Sequence, residues 1–183
     1  MKNNLKASIG AAVIALAVAA VPFGTASAAT QSANSTVNVT VDSTITVGVS
    51  GDVNINVVPT ASGATGTGSH TVTVGTNASA GYKLSLASSV ADTTLANGSN
   101  TIAAASGTFG APAALGADTW GYQLPTFGGS YAGVTANAAP VTIKTTAAPA
   151  AADATVVTYG ANVTTAKPSG TYSRVVTYTG ITN

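Results

Sequence analysis

Side chains able to perform acid–base, nucleophilic or metal chemistry are scarce in this chain. It contains no Cys, a single His (His70), and acidic residues that are all Asp and stand singly along the sequence. Metal sites and catalytic centres need several such groups brought together. Because no second His, no Cys and no Glu can complete a metal shell or orient His70 as a base, a solvent-facing or capping role is favoured for it. The composition argues against an enzyme and predicts no cofactor and no metal site.

One stretch has the opening pattern of a calcium-binding loop. From Asp52 onwards, Asp or Asn occupies the first, third and fifth positions. Calcium loops of this type place Gly at the sixth position and Glu at the twelfth, where this chain has Val57 and Gly63. Because apolar residues alternate with the polar ones, the solvated face of a strand explains the stretch better than a calcium site does.

Aromatic residues offer one candidate binding site. Trp120 and Tyr122 lie two positions apart and so share a face of a predicted strand, and Tyr131 follows after a turn. Exposed rings in such a cluster can stack on sugars, which would make these three residues a ligand-stacking site. Packing in the core is the competing interpretation, and it is favoured because a chain with only three Phe needs its large rings inside.

Residues 1–28 have the organisation of a signal peptide. Lys2 and Lys6 precede an uncharged apolar stretch at residues 9–21, and Ala26-Ser27-Ala28 has the A-x-A form of a cleavage site. The apolar stretch is shorter than the ~20 residues that a membrane helix needs. We therefore expect a secreted protein at the extracellular cell surface, whose residues 29–183 form a single domain without a membrane span. An uncleaved N-terminal anchor is the alternative.

Charge is sparse beyond the predicted signal peptide. Residues 29–183 carry four Lys or Arg and five Asp. Binding of nucleic acid needs a clustered basic surface, so a nucleic-acid partner is not expected. A net charge near zero leaves little repulsion between copies, which favours a homo-oligomer or polymer. Since no disulfide can form, packing and sheet hydrogen bonds must stabilise the fold.

Apolar residues recur with a period of two, which predicts half-buried strands. The clearest runs are residues 36–47, 52–57, 71–74, 82–86, 141–144 and 154–159. Turn signals such as Asn97-Gly98 separate them, and residues 60–69 (TASGATGTGS) are expected to form a flexible loop. About eight or nine short strands without a convincing amphipathic helix predict an all-β fold, an antiparallel Greek-key (immunoglobulin-like) β-sandwich.

The end of the chain carries the most specific pattern. Pro168-x-Gly170-x-Tyr172 leads into a terminal strand, as in the tyrosine corner of Greek-key sandwiches, where the phenol bonds back to the backbone. Tyr172 is therefore a candidate structural corner residue. Together with residues 157–163 and 173–179, this C-terminal third resembles the terminal strands of small secreted bacterial surface proteins, including spore-coat-U and fimbrial-type sandwich subunits. The resemblance implies a location on the bacterial surface.

These observations predict an exported, non-enzymatic cell-surface protein that acts as a structural or adhesive subunit. The favoured mechanism is self-association through strand edges, because an edge strand presents unpaired N–H and C=O groups. Residues 36–47 could pair within their own sandwich or be donated to a neighbouring copy. The alternative function is an extracellular glycan-binding module that uses the aromatic cluster.

Overall fold

The computed structural model describes residues 29–183, so the predicted signal peptide lies outside the described residues. The chain divides into two units, and every strand belongs to the second, Thr40–Asn183. The strands are β1 (Ile45–Val49), β2 (Ala64–Thr76), β3 (Tyr82–Ser88), β4 (Leu95–Asn97), β5 (Asn100–Ala104), β6 (Thr119–Gln123), β7 (Val141–Thr145), β8 (Ala150–Val163) and β9 (Val176–Thr182). Within residues 29–183 the helical structure is limited to one 3-10 turn, Pro125–Phe127, and no helix there could cross a membrane.

The strands form two sheets. The larger sheet has the order β1-β2-β8-β6-β5-β4, and the smaller one has the order β7-β3-β9. Neighbouring strands are antiparallel except β5 and β6, which are parallel. The longest ladder joins β2 to β8, from Ala64 opposite Val163 to Thr76 opposite Ala150. The chain is thus nearly all β and mostly antiparallel.

The core lies between the two sheets. Val72 and Val74 of β2 are fully buried, as are Leu84 and Leu86 of β3, while the residues between them are more exposed. This alternation follows from the strand geometry, which points successive side chains to opposite faces. Burying one such side chain stabilises the fold by about 1.5–3 kcal/mol relative to leaving it exposed.

Several sequence-based expectations are confirmed. The runs at residues 71–74, 82–86, 141–144 and 154–159 all lie within observed strands. The Asn97-Gly98 turn closes the β4–β5 hairpin, in which Leu95 pairs with Ile102. Gly98 has a φ of 60°, a left-handed conformation that glycine adopts without steric cost.

Two expectations about chain segments are wrong. Residues 60–69 do not form a flexible loop throughout, because β2 begins at Ala64 and includes two glycines of that stretch, Gly66 and Gly68. Of the alternating runs at residues 36–47 and 52–57, only residues 45–47 lie in a strand, β1. Alternation describes which face a side chain occupies, whereas a strand also needs a hydrogen-bonded neighbour.

Asp153 links the two sheets. Its carboxylate on β8 accepts hydrogen bonds from the Tyr82 hydroxyl on β3 (2.7 Å) and from the Lys144 ammonium on β7 (2.6 Å). The bond from Lys144 is the main cause that holds the pKa of Asp153 below its ordinary value, and the bond from Tyr82 adds to it. Burial, followed by the neighbouring Asp153, raises the pKa of Tyr82.

We expect stability to fall at acid pH through Asp153. A carboxyl whose pKa is lowered by folding stabilises the protein above its unfolded pKa, about 3.9, and that stability is lost as the pH falls through the folded value. Asp153→Asn should therefore be less stable at pH 7 by about 1 kcal/mol, and the difference should shrink below about pH 4. Denaturant unfolding at a series of pH values measures this difference, with Asp52→Asn as the exposed control. If the difference in unfolding free energy between the wild type and Asp153→Asn were the same at every pH, the proposed role of the carboxylate would be wrong.

Candidate functional site

The N-terminal segment, residues 29–43, precedes the first strand and is exposed along its whole length. Val37, Val39 and Val41 have exposed fractions of 84%, 82% and 78%. Because the three valines alternate with polar residues, they would line one face if the segment became a strand. Clustered apolar side chains in water are typical of an interaction site.

Side chains at the end of β2 determine where β1 begins. The Asn77 amide accepts a hydrogen bond from the Thr44 N–H (2.7 Å) and donates one to the Asp42 carbonyl (2.9 Å). The Thr76 hydroxyl donates to the Thr44 carbonyl (2.6 Å). These bonds lead into the ladder, which starts with Ile45 opposite Thr76. β1 therefore pairs within its own chain, and residues 37–41 lie outside that ladder.

A second extended segment covers part of β2. In this cover segment, residues 52–58, the apolar residues Val53, Ile55 and Val57 are half-buried and the polar residues between them are exposed. The cover segment lies against Gly66 and Gly68 of β2. A Cβ atom on Gly66 would lie 2.7 Å from the Asn56 carbonyl oxygen, and one on Gly68 would lie 2.7 Å from Val53 Cγ1. Only glycine leaves room for the cover segment at these positions.

The cover segment belongs to no sheet. None of its N–H or C=O groups makes a backbone hydrogen bond to any residue between 29 and 183. The ladder-like contact just before it, from the Ser50 N–H to the Thr71 carbonyl (2.9 Å), is not continued. Backbone groups are strong donors and acceptors, and an extended segment without a neighbour is a template for another strand. The cover segment thus carries backbone groups that no strand within residues 29–183 pairs.

Asp52, Asn54 and Asn56 alternate with the half-buried residues of the cover segment and are all exposed. This is the placement expected for the solvated face of an extended segment. Within residues 29–183, no three His, Cys, Asp or Glu side chains lie close enough together to hold a metal ion.

His70 is half-buried, and both of its ring nitrogens are used by the fold. Nδ1 lies 3.0 Å from the Gly51 carbonyl oxygen, and Nε2 lies 2.7 Å from the Tyr178 hydroxyl. Because a carbonyl only accepts, this geometry assigns the proton to Nδ1 and makes Nε2 the acceptor of the phenol hydrogen. The Tyr178 hydroxyl also lies 2.7 Å from the Tyr159 hydroxyl. His70 therefore joins Gly51, the residue directly before the cover segment, to both sheets.

The two phenols beside His70 remain protonated over the ordinary pH range. Burial raises the pKa of Tyr178. Burial, followed by the neighbouring Tyr178, raises the pKa of Tyr159. His70, Tyr178 and Tyr159 thus form a hydrogen-bonded link across the core, which is a structural arrangement.

The structure places Trp120 and Tyr122 in the core. Trp120 is 3% exposed, stacks on Tyr159 with a centroid separation of 6.1 Å, and donates from Nε1 to the Thr93 carbonyl (3.0 Å). Tyr122 is fully buried, and burial raises its pKa to about 12. The half-buried Tyr131 lies over Gly160, where a Cβ atom would lie 2.5 Å from Tyr131 Cε1. The three rings form no common exposed cluster.

The exposed aromatic side chain that the sequence reasoning missed is Phe109. It is 39% exposed and packs edge-to-face on Phe127, with centroids 5.7 Å apart. Phe109 lines an open cleft of about 400 Å³ whose other walls combine the apolar side chains of Val134 and Val141 with hydroxyl groups and glycine backbone. Those walls include Ser106, Gly107, Thr108, Gly133 and Thr135. Phe109 is a single aromatic residue in an Ala-rich stretch, so no sequence pattern marks it.

Tyr172 bonds back to the chain that precedes it. Its hydroxyl donates to the Pro168 carbonyl at 2.9 Å, four residues upstream. The side chain is half-buried and packs against the core.

We expect Tyr172→Phe to lower the free energy of unfolding by about 1 kcal/mol, because the Pro168 carbonyl loses its hydrogen-bond donor. The midpoint of denaturant unfolding measures the change. Tyr122→Phe is the matched control, since the buried Tyr122 hydroxyl has no hydrogen-bond partner within residues 29–183. Equal midpoints for Tyr172→Phe and the wild type would show that the Tyr172 hydroxyl does not hold this turn.

No known protein family, curated protein or solved structure matches the chain. The class of protein is therefore defined by the fold alone, as a nearly all-β protein of two mostly antiparallel sheets with one core. The features that distinguish it within that class are an exposed alternating segment at residues 37–41 and an open extended segment at residues 52–58.

Proposed function

We propose that this chain is an exported, non-enzymatic cell-surface protein that acts as a structural or adhesive subunit, and that its copies associate through strand edges. The observation that carries the proposal is the open cover segment, whose extended backbone makes no backbone hydrogen bond within residues 29–183. The three exposed valines at residues 37–41 add a second surface suited to association. Strand addition would pair such backbone groups and bury such side chains together.

The outer strands support the same proposal. β1 and β9 each end a sheet, and their sequences, ITVGV and VTYTGIT, contain neither a charged residue nor Pro. Monomeric proteins commonly place Lys or Pro on edge strands to block pairing with another chain. Sparse charge elsewhere in residues 29–183 leaves little repulsion to oppose association.

The proposal extends to the fold and the location. We assign the two sheets to an antiparallel Greek-key sandwich of the immunoglobulin-like kind, supported by the bond from Tyr172 to the chain before it. The signal-peptide pattern of residues 1–28 supports export, and the resemblance of the C-terminal third to bacterial surface subunits supports a surface location. Both ring nitrogens of His70 are bonded within the fold, which supports a non-enzymatic role.

Electron microscopy and size-exclusion chromatography of residues 29–183 at rising concentration test the proposal. Filaments, sheets or discrete oligomers that grow with concentration are expected. Monodisperse monomers at the highest concentration in both measurements would overturn it. A parallel run in high salt separates edge pairing from charge attraction, because salt screens only the charge attraction.

Carbohydrate binding is a second candidate function. The cleft beside Phe109 is a better candidate location for a sugar than the cluster of Trp120, Tyr122 and Tyr131. An exposed ring and nearby hydroxyls suit the apolar face and polar rim of a neutral sugar. Calorimetric titration with a panel of neutral oligosaccharides tests it. Binding that Phe109→Ala abolishes and Val90→Ala, at another exposed apolar side chain, preserves would support this function; absence of binding across the panel would contradict it.

A further inference from the structure

The exposed part of the N-terminal segment repeats the pattern of the cover segment. Residues 37–41 read Val-Asn-Val-Thr-Val, and residues 53–57 read Val-Asn-Ile-Asn-Val. In both, branched apolar residues occupy the first, third and fifth positions, Asn the second, and a small polar residue the fourth. In the cover segment the apolar residues face Gly66 and Gly68, whereas the valines of residues 37–41 face solvent.

We propose that residues 37–41 of one copy add as a strand beside residues 53–57 of a second copy. The inference rests on the proposed function, self-association, and names the two segments that meet. The backbone of residues 53–57 has no backbone partner within residues 29–183, so an incoming strand would supply one. Equal side-chain patterns would place Val37, Val39 and Val41 on the same face as the apolar residues of the cover segment.

The flanking charges select the direction of pairing. Asp42 directly follows residues 37–41, and Asp52 directly precedes residues 53–57. Antiparallel pairing of the two segments would place these carboxylates opposite each other, and like charges directly opposite are destabilising. Parallel pairing places Asp42 opposite Val58 and Asp52 opposite Thr36. The added strand is therefore parallel and in register, with Asn38 opposite Asn54.

Chain connectivity favours a second copy over the same chain. Parallel strands within one chain need a crossover of about a dozen or more residues. Residues 42–52 would have to supply that crossover, but they contain β1, which is already paired with β2. The bonds from Asn77 to the backbone of Asp42 and Thr44 hold the chain at this point. A second molecule meets no such restriction.

Disulfide trapping tests the pairing, because the chain has no Cys of its own. Asn38→Cys and Asn54→Cys variants of residues 29–183 are mixed and oxidised, and cross-linked peptides are identified by mass spectrometry. Both side chains are exposed, so neither substitution disturbs the core. A 38–54 cross-link between molecules is expected. Predominance of cross-links from Asn38→Cys to Asn56→Cys, the antiparallel neighbour, or to Ser69→Cys on β2, would overturn the parallel pairing.

A charge variant provides an independent test of the same pairing. Val39→Asp places a carboxylate at the centre of the incoming strand and should raise the concentration needed for assembly at least tenfold. Ser32→Asp adds the same charge to the same segment outside residues 37–41 and should leave assembly unchanged. Equal unfolding midpoints would show that both variants keep the fold.

The outcomes separate the two proposals. If the wild type assembles but neither Val39→Asp nor the cross-link behaves as expected, this pairing is wrong and self-association proceeds through another edge. If the wild type stays monomeric at every concentration, both proposals fail. Assembly that is lost in Val39→Asp and trapped by the 38–54 cross-link supports both.

Discussion

Replacing Trp120 by Ala is expected to lower the free energy of unfolding by about 3–5 kcal/mol. The ring is 3% exposed, so its removal leaves a cavity beside Tyr159 in the core. The Thr93 carbonyl also loses the hydrogen bond that Trp120 Nε1 donates at 3.0 Å. Denaturant unfolding of residues 29–183 measures the loss directly.

Phe109→Ala is the matched aromatic control for Trp120→Ala. Phe109 is 39% exposed, and its truncation should cost well under the loss at Trp120, on the order of 1 kcal/mol or less. A Trp120→Ala protein of unchanged stability would contradict the buried position of the ring. Such a result, combined with a loss of sugar binding, would restore the interpretation of Trp120 as a ligand-stacking residue.

Gly66→Val is expected to destabilise the fold by about 1–3 kcal/mol or more. The new Cβ atom would lie 2.7 Å from the Asn56 carbonyl oxygen, so the cover segment has to move away from β2. Movement exposes the half-buried side chains of Val53, Ile55 and Val57, which pack on this surface. The midpoint of denaturant unfolding measures the loss, and the 38–54 cross-link should weaken along with it.

Gly48→Val tests whether the effect is specific to the cover segment. Gly48 also lies in a strand, but a Cβ atom there meets nothing within 4 Å. Valine suits a strand, so this substitution should be neutral or slightly stabilising. Equal losses of stability in Gly48→Val and Gly66→Val would show that the effect comes from the backbone conformation of glycine and not from the space that Gly66 leaves for the cover segment.

Much of the fold could be predicted from local patterns. Alternation at residues 71–74 and 82–86 was sufficient to locate parts of β2 and β3, because the period of a strand depends only on its own backbone geometry. The Asn97-Gly98 turn could also be predicted from the sequence, since the left-handed conformation at position 98 favours glycine.

The candidate site was only partly predictable for a related reason. Residues 37–41, 45–47 and 53–57 all alternate, yet only residues 45–47 lie in a strand. Sequence periodicity cannot show which alternating run finds a neighbour, because a ladder depends on residues far away in the chain, such as β2 for β1. Residues 37–41 and the cover segment could therefore be recognised only from the structure, in which both lie outside the sheets.

Burial of the aromatic rings was also settled by contacts between distant segments. Trp120 and Tyr122 share a strand face in any strand, but whether that face meets solvent or the core depends on the second sheet packed against it. The role of Gly66 and Gly68 also depends on contacts between distant segments. The composition around them indicates a flexible loop, whereas in the fold they are strand positions where the missing side chains leave room for the cover segment.

Composition and period thus determine the fold class, the low charge and the strand-forming segments, because these are properties of single residues and their near neighbours. Pairing, exposure and the unpaired backbone of the cover segment are decided by long-range packing, which no local pattern encodes.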